Sequence, residues 1–220
     1  MLEKVLLSWS GGKDSALALY GVLEKGGHEI QALITTVSGE FGRISMHGVR
    51  RSLLVRQAES LELPLREITL PRNPSNREYE AGMEDLLAEY KGRGVSRVIF
   101  GDVFLKDVRE YRERNLARVG MEGVFPLWGR DTGSLARAFI ELGFKAVVTC
   151  VDSEALDGGF VGSVFDERFL SELPEGVDPS GEKGEFHTFV YDGPIFQQPI
   201  VFEKGEVVLR ENRFHYIDLL

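Results

Sequence analysis

Cysteine is nearly absent. Cys150 is the one thiol in 220 residues, so no intrachain disulfide framework can form. A chain of this length buries a substantial core without such staples, and the lack fits a reducing compartment. No His/Cys cluster has the spacing of a zinc site. Long apolar runs are missing as well. The longest, such as 145–151, fall far short of the roughly 20 residues that span a bilayer. The opening Met1-Leu-Glu-Lys-Val5 has no signal-peptide pattern. The expectation is a cytoplasmic protein that does not enter a membrane. Cations are in deficit: 26 Lys plus Arg against 35 Asp plus Glu leave a net charge of −9. That balance argues against a large non-specific nucleic-acid surface, which needs clustered positive charge. Two local basic runs remain, Arg43, Arg50, Arg51 and Arg56, then Arg109, Arg112, Arg114 and Arg118. Solvated helix faces are the plainer explanation of both.

The composition is otherwise ordinary, 43% hydrophobic and 28% charged, and the length fits one large domain or one domain with a small appendage. Lys4–Ser8 is a short apolar run ending at a Gly-rich turn, which predicts a buried strand. Residues 14–25 carry Ala16, Leu17, Leu19, Tyr20 and Leu23 on a helical face that Gly26-Gly27 ends. Strands follow at 29–37, 65–70 and 97–101. Helices follow at 48–61, from about 76 to 90, at 106–118 and at 132–142. A further buried strand is expected at 145–151. Strands and helices alternating at this spacing imply an α/β fold with a doubly wound parallel sheet, Rossmann-like, over residues 1–151. From 152 to 220 the texture changes. Glycine and proline crowd the chain, and short strands at 187–190, 199–202, 206–210 and 214–219 suggest a small antiparallel C-terminal lobe for substrate.

The sharpest motif is Ser10-Gly-Gly-Lys-Asp-Ser15, placed between the first strand and the first helix. Gly11 and Gly12 permit positive φ and close approach of backbone to a phosphate. Successive N–H groups, with the helix dipole behind them, form an anion cradle. Ser10 and Ser15 add hydroxyls, and Lys13 adds a point charge for a phosphate oxygen. Asp14 is placed to orient Lys13 or to hold Mg²⁺. The spacing is neither that of a Walker A loop nor Gly-x-Gly-x-x-Gly.

Three further groups stand out. Gly101-Asp102 closes a strand at the sheet end where ligands bind, with Asp102 a candidate for Mg²⁺ or a ribose hydroxyl. Met46-His47-Gly48 precedes an Arg-rich helix; His47 is a candidate acid or base, and Arg50 and Arg51 are candidates for pyrophosphate or a carboxylate. Gly181-Glu-Lys-Gly-Glu-Phe-His-Thr188 flanks carboxylates with glycines on a loop, a setting that often carries chemistry. Each has a plain structural alternative: a capped turn, a solvated loop or a polar approach to a hairpin. Cys150, at the end of an apolar strand, reads as a buried structural thiol.

The motif resembles the signature of the ATP pyrophosphatases, the PP-loop ATPases. With Ser8-Trp-Ser-Gly-Gly-Lys-Asp-Ser15, Gly101-Asp102, Phe125-Pro-Leu-Trp-Gly129 and Gly184-Glu-Phe-His-Thr-Phe-Val190, nearly the whole chain resembles the diphthine–ammonia ligase-related group. The middle segments 45–51 and 104–111 look like those of bacterial relatives, and the chain looks like a short form without the C-terminal extension of eukaryotic enzymes. The resemblance implies ATP and Mg²⁺ as cofactors, with ATP going to AMP and pyrophosphate. A carboxylate would be adenylated and then attacked by ammonia. It further implies that Ser8 and the loop 10–15 meet the nucleotide, that Thr35 meets adenine, and that Glu185 belongs to the site. Diphthine-bearing elongation factor 2 is the natural acceptor where a host makes diphthamide; another acceptor stays open. A homodimer is a further expectation. Two other readings remain: a regulator that binds adenine nucleotide without turnover, and a tRNA-modifying enzyme. The single cysteine and the acidic balance weigh against the second.

Overall fold

The computed structural model describes residues 2–39, 42–44, 48–71 and 74–220. The chain builds two sheets. β1 (Glu3–Ser8), β2 (His28–Ser38), β4 (Leu65–Leu70), β5 (Arg97–Ile99) and β6 (Glu122–Val124) are parallel, and β3 (Arg43–Ile44) adds a short antiparallel piece to β2. β2 carries β1 on one edge and β4 on the other, so the parallel strands run β4-β2-β1-β5-β6. The chain moves outward from β1 in one direction, then returns and moves outward the other way. The switch point therefore lies between β1 and β5, where ligands of open α/β sheets bind.

β1 is buried on both faces, and its alternation divides the core. Val5 and Leu7 join Leu33 and Ile99 in a cluster with α1 (Lys13–Lys25) and α2 (Arg51–Ser60). Leu6 joins Ala32, Ile34 and Val98 in a second cluster with α3 (Asn76–Gly92) and α4 (Lys106–Arg118). Each fully buried leucine or isoleucine contributes about 1.5–3 kcal/mol of transfer free energy, which holds the sheet between its helices. α3 starts on a reciprocal cap: the Ser75 side chain accepts from Glu78 N, and Glu78 accepts from Ser75 N.

The second sheet is antiparallel, in the order β8-β7-β10-β9. It consists of β7 (Lys145–Asp152), β8 (Phe186–Asp192), β9 (Lys204–Arg210) and β10 (Phe214–Leu219). The strand expected at 145–151 is real, but its partners are β8 and β10, not the parallel strands. An apolar run buried on both faces fits either sheet, so the pattern alone could not assign it. An aromatic cluster joins α5 (Thr132–Glu141) and α6 (Glu167–Glu172) to this sheet: Phe139 contacts Phe144 and Phe165, and Phe165 and Phe169 contact Phe186 of β8. Residues 199–202 form no strand, whereas the short β3, β6 and α6 had no clear signature in the sequence. Cys150 is buried in β7, and burial pushes its thiol up to about 11. No helix among the described residues is long and apolar enough to cross a membrane.

The second sheet docks on the loop after β1. Val190 N donates to Gly11 O at 2.9 Å, and Lys13 N donates to Thr188 Oγ1 at 3.1 Å. The strand that follows the 181–186 loop is thereby fastened to the first turn of α1.

Candidate active site

The loop 9–12 is held from below by α2. Gln57, fully buried, accepts from Trp9 Nε1 at 2.9 Å and donates to Gly11 O at 3.1 Å and to Val190 O. Gly11 lies at φ +78°, and a Cβ there would sit 2.8 Å from Gln57 Oε1 and Leu54 Cδ1. Its glycine is thus required by backbone conformation and by packing. Gly12 is different from expectation: its φ is −94°, an extended conformation that any residue adopts. As the N-cap of α1 it ends the loop without a side-chain cap.

The motif's side chains form a local network. Ser10 Oγ accepts from Gly12 N and lies 3.2 Å from Ser15 Oγ, which donates to Gly12 O at 2.8 Å. Lys13 is buried, with its Nζ 2.8 Å from both oxygens of Asp14 and 5.8 Å from the centre of the Phe186 ring. Gly101 backs this turn. A Cβ on Gly101 would lie 2.7 Å from the Asp14 carbonyl carbon and 2.9 Å from Ser15 N. The end of β5 and the first turn of α1 are therefore in direct contact, as the switch-point geometry demands.

Two cavities open above the loop. One, about 450 Å³, is lined by Lys13, Asp14, Gly101, Asp102, Glu182 and Thr188 among others. Its partner, about 390 Å³, lies over the ends of β2 and β4 and is more apolar, with Ile34, Thr35, Leu70, Tyr79 and Met83 in its wall. Four residues line both: Ser8, Ser10, Arg112 and His187. The polar cavity thus meets the apolar one beside the glycine loop, and these four surround the junction.

Asp102 does not stand alone in the polar cavity. Arg112 Nη2 donates to Asp102 Oδ1 at 3.1 Å, and Arg112 Nε lies 2.6 Å from Oδ2 as an ion pair outside hydrogen-bond alignment. The same guanidinium stacks 4.5 Å over Phe100. Glu182 Oε1 accepts from Val103 N at 2.8 Å. Burial first, with Asp14 and Asp102 nearby, pushes the Glu182 carboxyl up to about 7.

Sequence reasoning pointed to Glu185 in this loop, but the structure turns that side chain inward. Its oxygens accept from Asp178 N at 3.2 Å and Lys183 N at 3.0 Å, bracing the 178–185 loop. Glu182, three residues earlier in the same quoted segment, faces the cavity instead. Ser8, Ser10, Lys13, Asp14, Ser15, Gly101 and Asp102 converge on the polar cavity, and Thr35 lines the apolar one. His47 lies outside the described residues. Arg112 and His187 were missed as site residues. Arg112 reads with Arg109, Arg114 and Arg118 as part of one solvated helix face, and no spacing rule singles it out.

Among the described residues no group of three His, Cys, Asp or Glu side chains is arranged to hold a metal. Asp14 and Asp102 are each paired with a cation. Hard oxygen donors nevertheless face the cavity that suits phosphate. This arrangement fits Mg²⁺ carried by phosphates, with one or two carboxylates completing its shell, rather than an ion caged by protein.

The parallel sheet, its switch point and the Ser-Gly-Gly-Lys-Asp-Ser loop define an ATP-binding protein of the PP-loop class. Family comparison narrows this. The diphthamide synthase N-terminal domain matches residues 3–123, and the diphthamide synthase C-terminal domain matches residues 131–218. The chain belongs to the diphthamide synthase family and is an enzyme of the ligase class. It is 30% identical over 225 residues to the diphthine–ammonia ligase of Danio rerio, covering 92% of this chain and 88% of that protein. It is 28% identical over 222 residues to the diphthine–ammonia ligase of Homo sapiens, covering 91% and 83%. The match to the Schizosaccharomyces pombe diphthine–ammonia ligase covers 37% of that protein.

Proposed function

We propose that this chain is an ATP-dependent amide ligase that converts ATP to AMP and pyrophosphate and joins ammonia to the carboxylate of diphthine on elongation factor 2. The observation that carries the proposal is the junction of the two cavities over the glycine loop. A nucleoside fits the apolar cavity at Thr35, and a polyphosphate fits the polar one at Lys13. The α-phosphorus then falls at the junction, beside Ser8, Ser10, Arg112 and His187.

The chemistry follows from that placement. An acceptor carboxylate oxygen attacks the α-phosphorus, the bond to the bridging oxygen of the β-phosphate breaks, and pyrophosphate leaves. Arg112 opposes the charge that develops on the α-phosphoryl oxygens, and Lys13 opposes that on the departing pyrophosphate; preorganised cations of this kind supply the main catalytic term. Mg²⁺, held by the phosphates with Asp14 or Asp102, would supply further charge neutralisation. Ammonia then attacks the acyl carbon of the acyl adenylate, AMP leaves, and the proton shed by the nitrogen passes to Glu182. A carboxyl that titrates near 7 is matched to that task. Asp14 orients Lys13 in the ground state, and Glu185 keeps the loop that carries Glu182 in shape. His47 is kept as a candidate acid or base. The parallel sheet and the loop after β1 supply the nucleotide side, and the 180–188 segment ahead of and within β8 lines the same cavity.

Radiolabelled ATP, Mg²⁺, ammonium and diphthine-bearing elongation factor 2 test the proposal together. AMP is expected when all four are present and is expected to fall by about 10²–10³ in Lys13→Ala and Arg112→Ala. Tight ATP binding with no AMP under the complete mixture would instead favour a nucleotide-binding regulator. AMP formation at full rate in Lys13→Ala would remove the loop from the reaction.

A further inference from the structure

β9 is the outer strand of the second sheet, and among the described residues no strand pairs with its far edge. Every residue of Lys204–Arg210 except Gly205 is exposed. Val207, Val208 and Leu209 form a consecutive aliphatic run, exposed to 50%, 39% and 53%. The opposite outer strand, β8, is covered: Val190 N donates to Gly11 O, and Ile200 N donates to Tyr191 O. An unpaired edge of this length, without proline, offers a row of backbone donors and acceptors to another strand.

The charges on this edge complement a second copy of the same strand. In antiparallel pairing, residues directly opposite have the same hydrogen-bonding type, so a strand pairing with its own copy must be centred on a residue. Centred on Val207, the pairing sets Lys204 against Arg210 of the second copy, two like charges. A centre at Glu206 sets the two Glu206 carboxylates side by side. With Val208 at the centre, Glu206 faces Arg210 of the second copy, and symmetry repeats the pair. Val207 faces Leu209 twice, and Val208 faces itself. Opposite charges directly across a ladder stabilise it, and like charges destabilise it.

We propose that β9 is the interface with a second copy of this chain, paired antiparallel about a two-fold axis through Val208, so that the two antiparallel sheets become one continuous sheet. The contact is isologous, since the same strand serves both copies. It lies on the outer strand of the second sheet, away from the glycine loop, and so is independent of the reaction assigned to the site.

Sedimentation equilibrium of the full chain, from low to high micromolar concentration, reads this directly. Wild type is expected to dimerise. Glu206→Arg is expected to raise the dimer Kd by about tenfold or more, because it places like charges opposite each other twice. Arg210→Glu alone is expected to do the same, although it also loses the contact of Arg210 with the Tyr216 ring. The double variant Glu206→Arg with Arg210→Glu is expected to return Kd to near the wild-type value. That recovery cannot arise from a misfolded strand, and matching thermal melts of the variants check it further. A wild type that stays monomeric throughout, a dimer indifferent to Glu206→Arg, or a double variant no better than the singles would each overturn the interface.

Discussion

The side-chain amide of Gln57 donates to the carbonyl of Gly11 at 3.1 Å, across 46 residues of sequence. This bond, with those to Trp9 and Val190, makes α2 the floor of the phosphate loop. Replacing Gln57 by Leu keeps the approximate volume but strands a buried indole N–H and the Val190 carbonyl. The cost is about 2–4 kcal/mol, the usual range for buried polar groups left unpaired. Thermal unfolding is expected to show a clear fall in Tm, and calorimetry a weaker ATP affinity. A variant that melts and binds like wild type would show that Gln57 merely fills space.

Gly101 and Gly21 give opposite expectations for the same substitution. A Cβ on Gly101 meets backbone atoms of α1 at 2.7–2.9 Å, and backbone cannot swing aside as a side-chain tip can. Gly101→Ala is therefore expected to push the first turn of α1 off the switch point and weaken ATP binding by about tenfold or more, an amount equal to about 1.4 kcal/mol. Gly21 lies inside α1 with nothing within 4 Å of its would-be Cβ. Gly21→Ala is expected to stabilise the protein by about 0.5–1 kcal/mol through helix propensity. ATP titration and urea unfolding of both variants check the pair. Equal effects would mean that the close approach at Gly101 is not limiting.

Much of this cavity's lining is legible in the sequence. Ser10, Lys13, Asp14, Ser15 and Gly101-Asp102, which line the polar cavity, stand out in the sequence because glycine, lysine and short polar residues fall at fixed places on a strand–helix turn. The parallel sheet was readable from alternating strands and helices. β7 was harder, since a strand buried on both faces has the same apolar signature in either sheet. Arg112, His187 and Glu182 are less legible for another reason. Their positions come from the fold: Arg112 meets Phe100 and Asp102 across the turn into α4, and Glu182 is desolvated where it accepts from Val103 N, 79 residues away. The choice between Glu182 and Glu185 depended on which way a loop turns its side chains, and Gly181 and Gly184, both at positive φ, set that turn without announcing it.

Glu182 should govern the acid side of the pH profile. Its folded carboxyl is raised to about 7, so the proton-accepting form grows as pH rises through that value. For amide formation at fixed free ammonia, kcat/KM is expected to climb through about pH 7 and then level. Glu182→Gln is expected to lower the plateau by about 10²–10⁴, the usual size of a general-base contribution, and to abolish the limb while leaving ATP affinity nearly unchanged. The same shift acts on stability with opposite sense. Because the folded state resists ionisation, the contribution of the neutral carboxyl is complete below its ordinary value near 4.5 and is lost as pH rises toward 7. An acid limb that persists unchanged in Glu182→Gln would assign it to another group.

Asp218 is the acid-sensitive tie between the two sheets. It accepts from Arg50 Nε at 3.0 Å and Nη2 at 2.6 Å, and from Arg43 Nη2 at 2.9 Å, joining β10 to β3 and the start of α2. Hydrogen bonds from Arg50, then from Arg43, hold its carboxyl down to about 2. A depressed carboxyl stabilises the fold at pH above its ordinary value near 3.8, and that stabilisation is lost as pH falls toward 2. Asp218→Asn is expected to cost about 1–3 kcal/mol near neutral pH, in the range of hydrogen bonds to charged groups. The gap between wild type and variant should narrow steadily as pH drops from about 4 toward about 2, because the wild-type carboxylate is then itself neutralised. Urea unfolding at several pH values measures the gap. A gap of the same size at every pH would mean that the variant damages packing, and that the two arginines contribute nothing through charge.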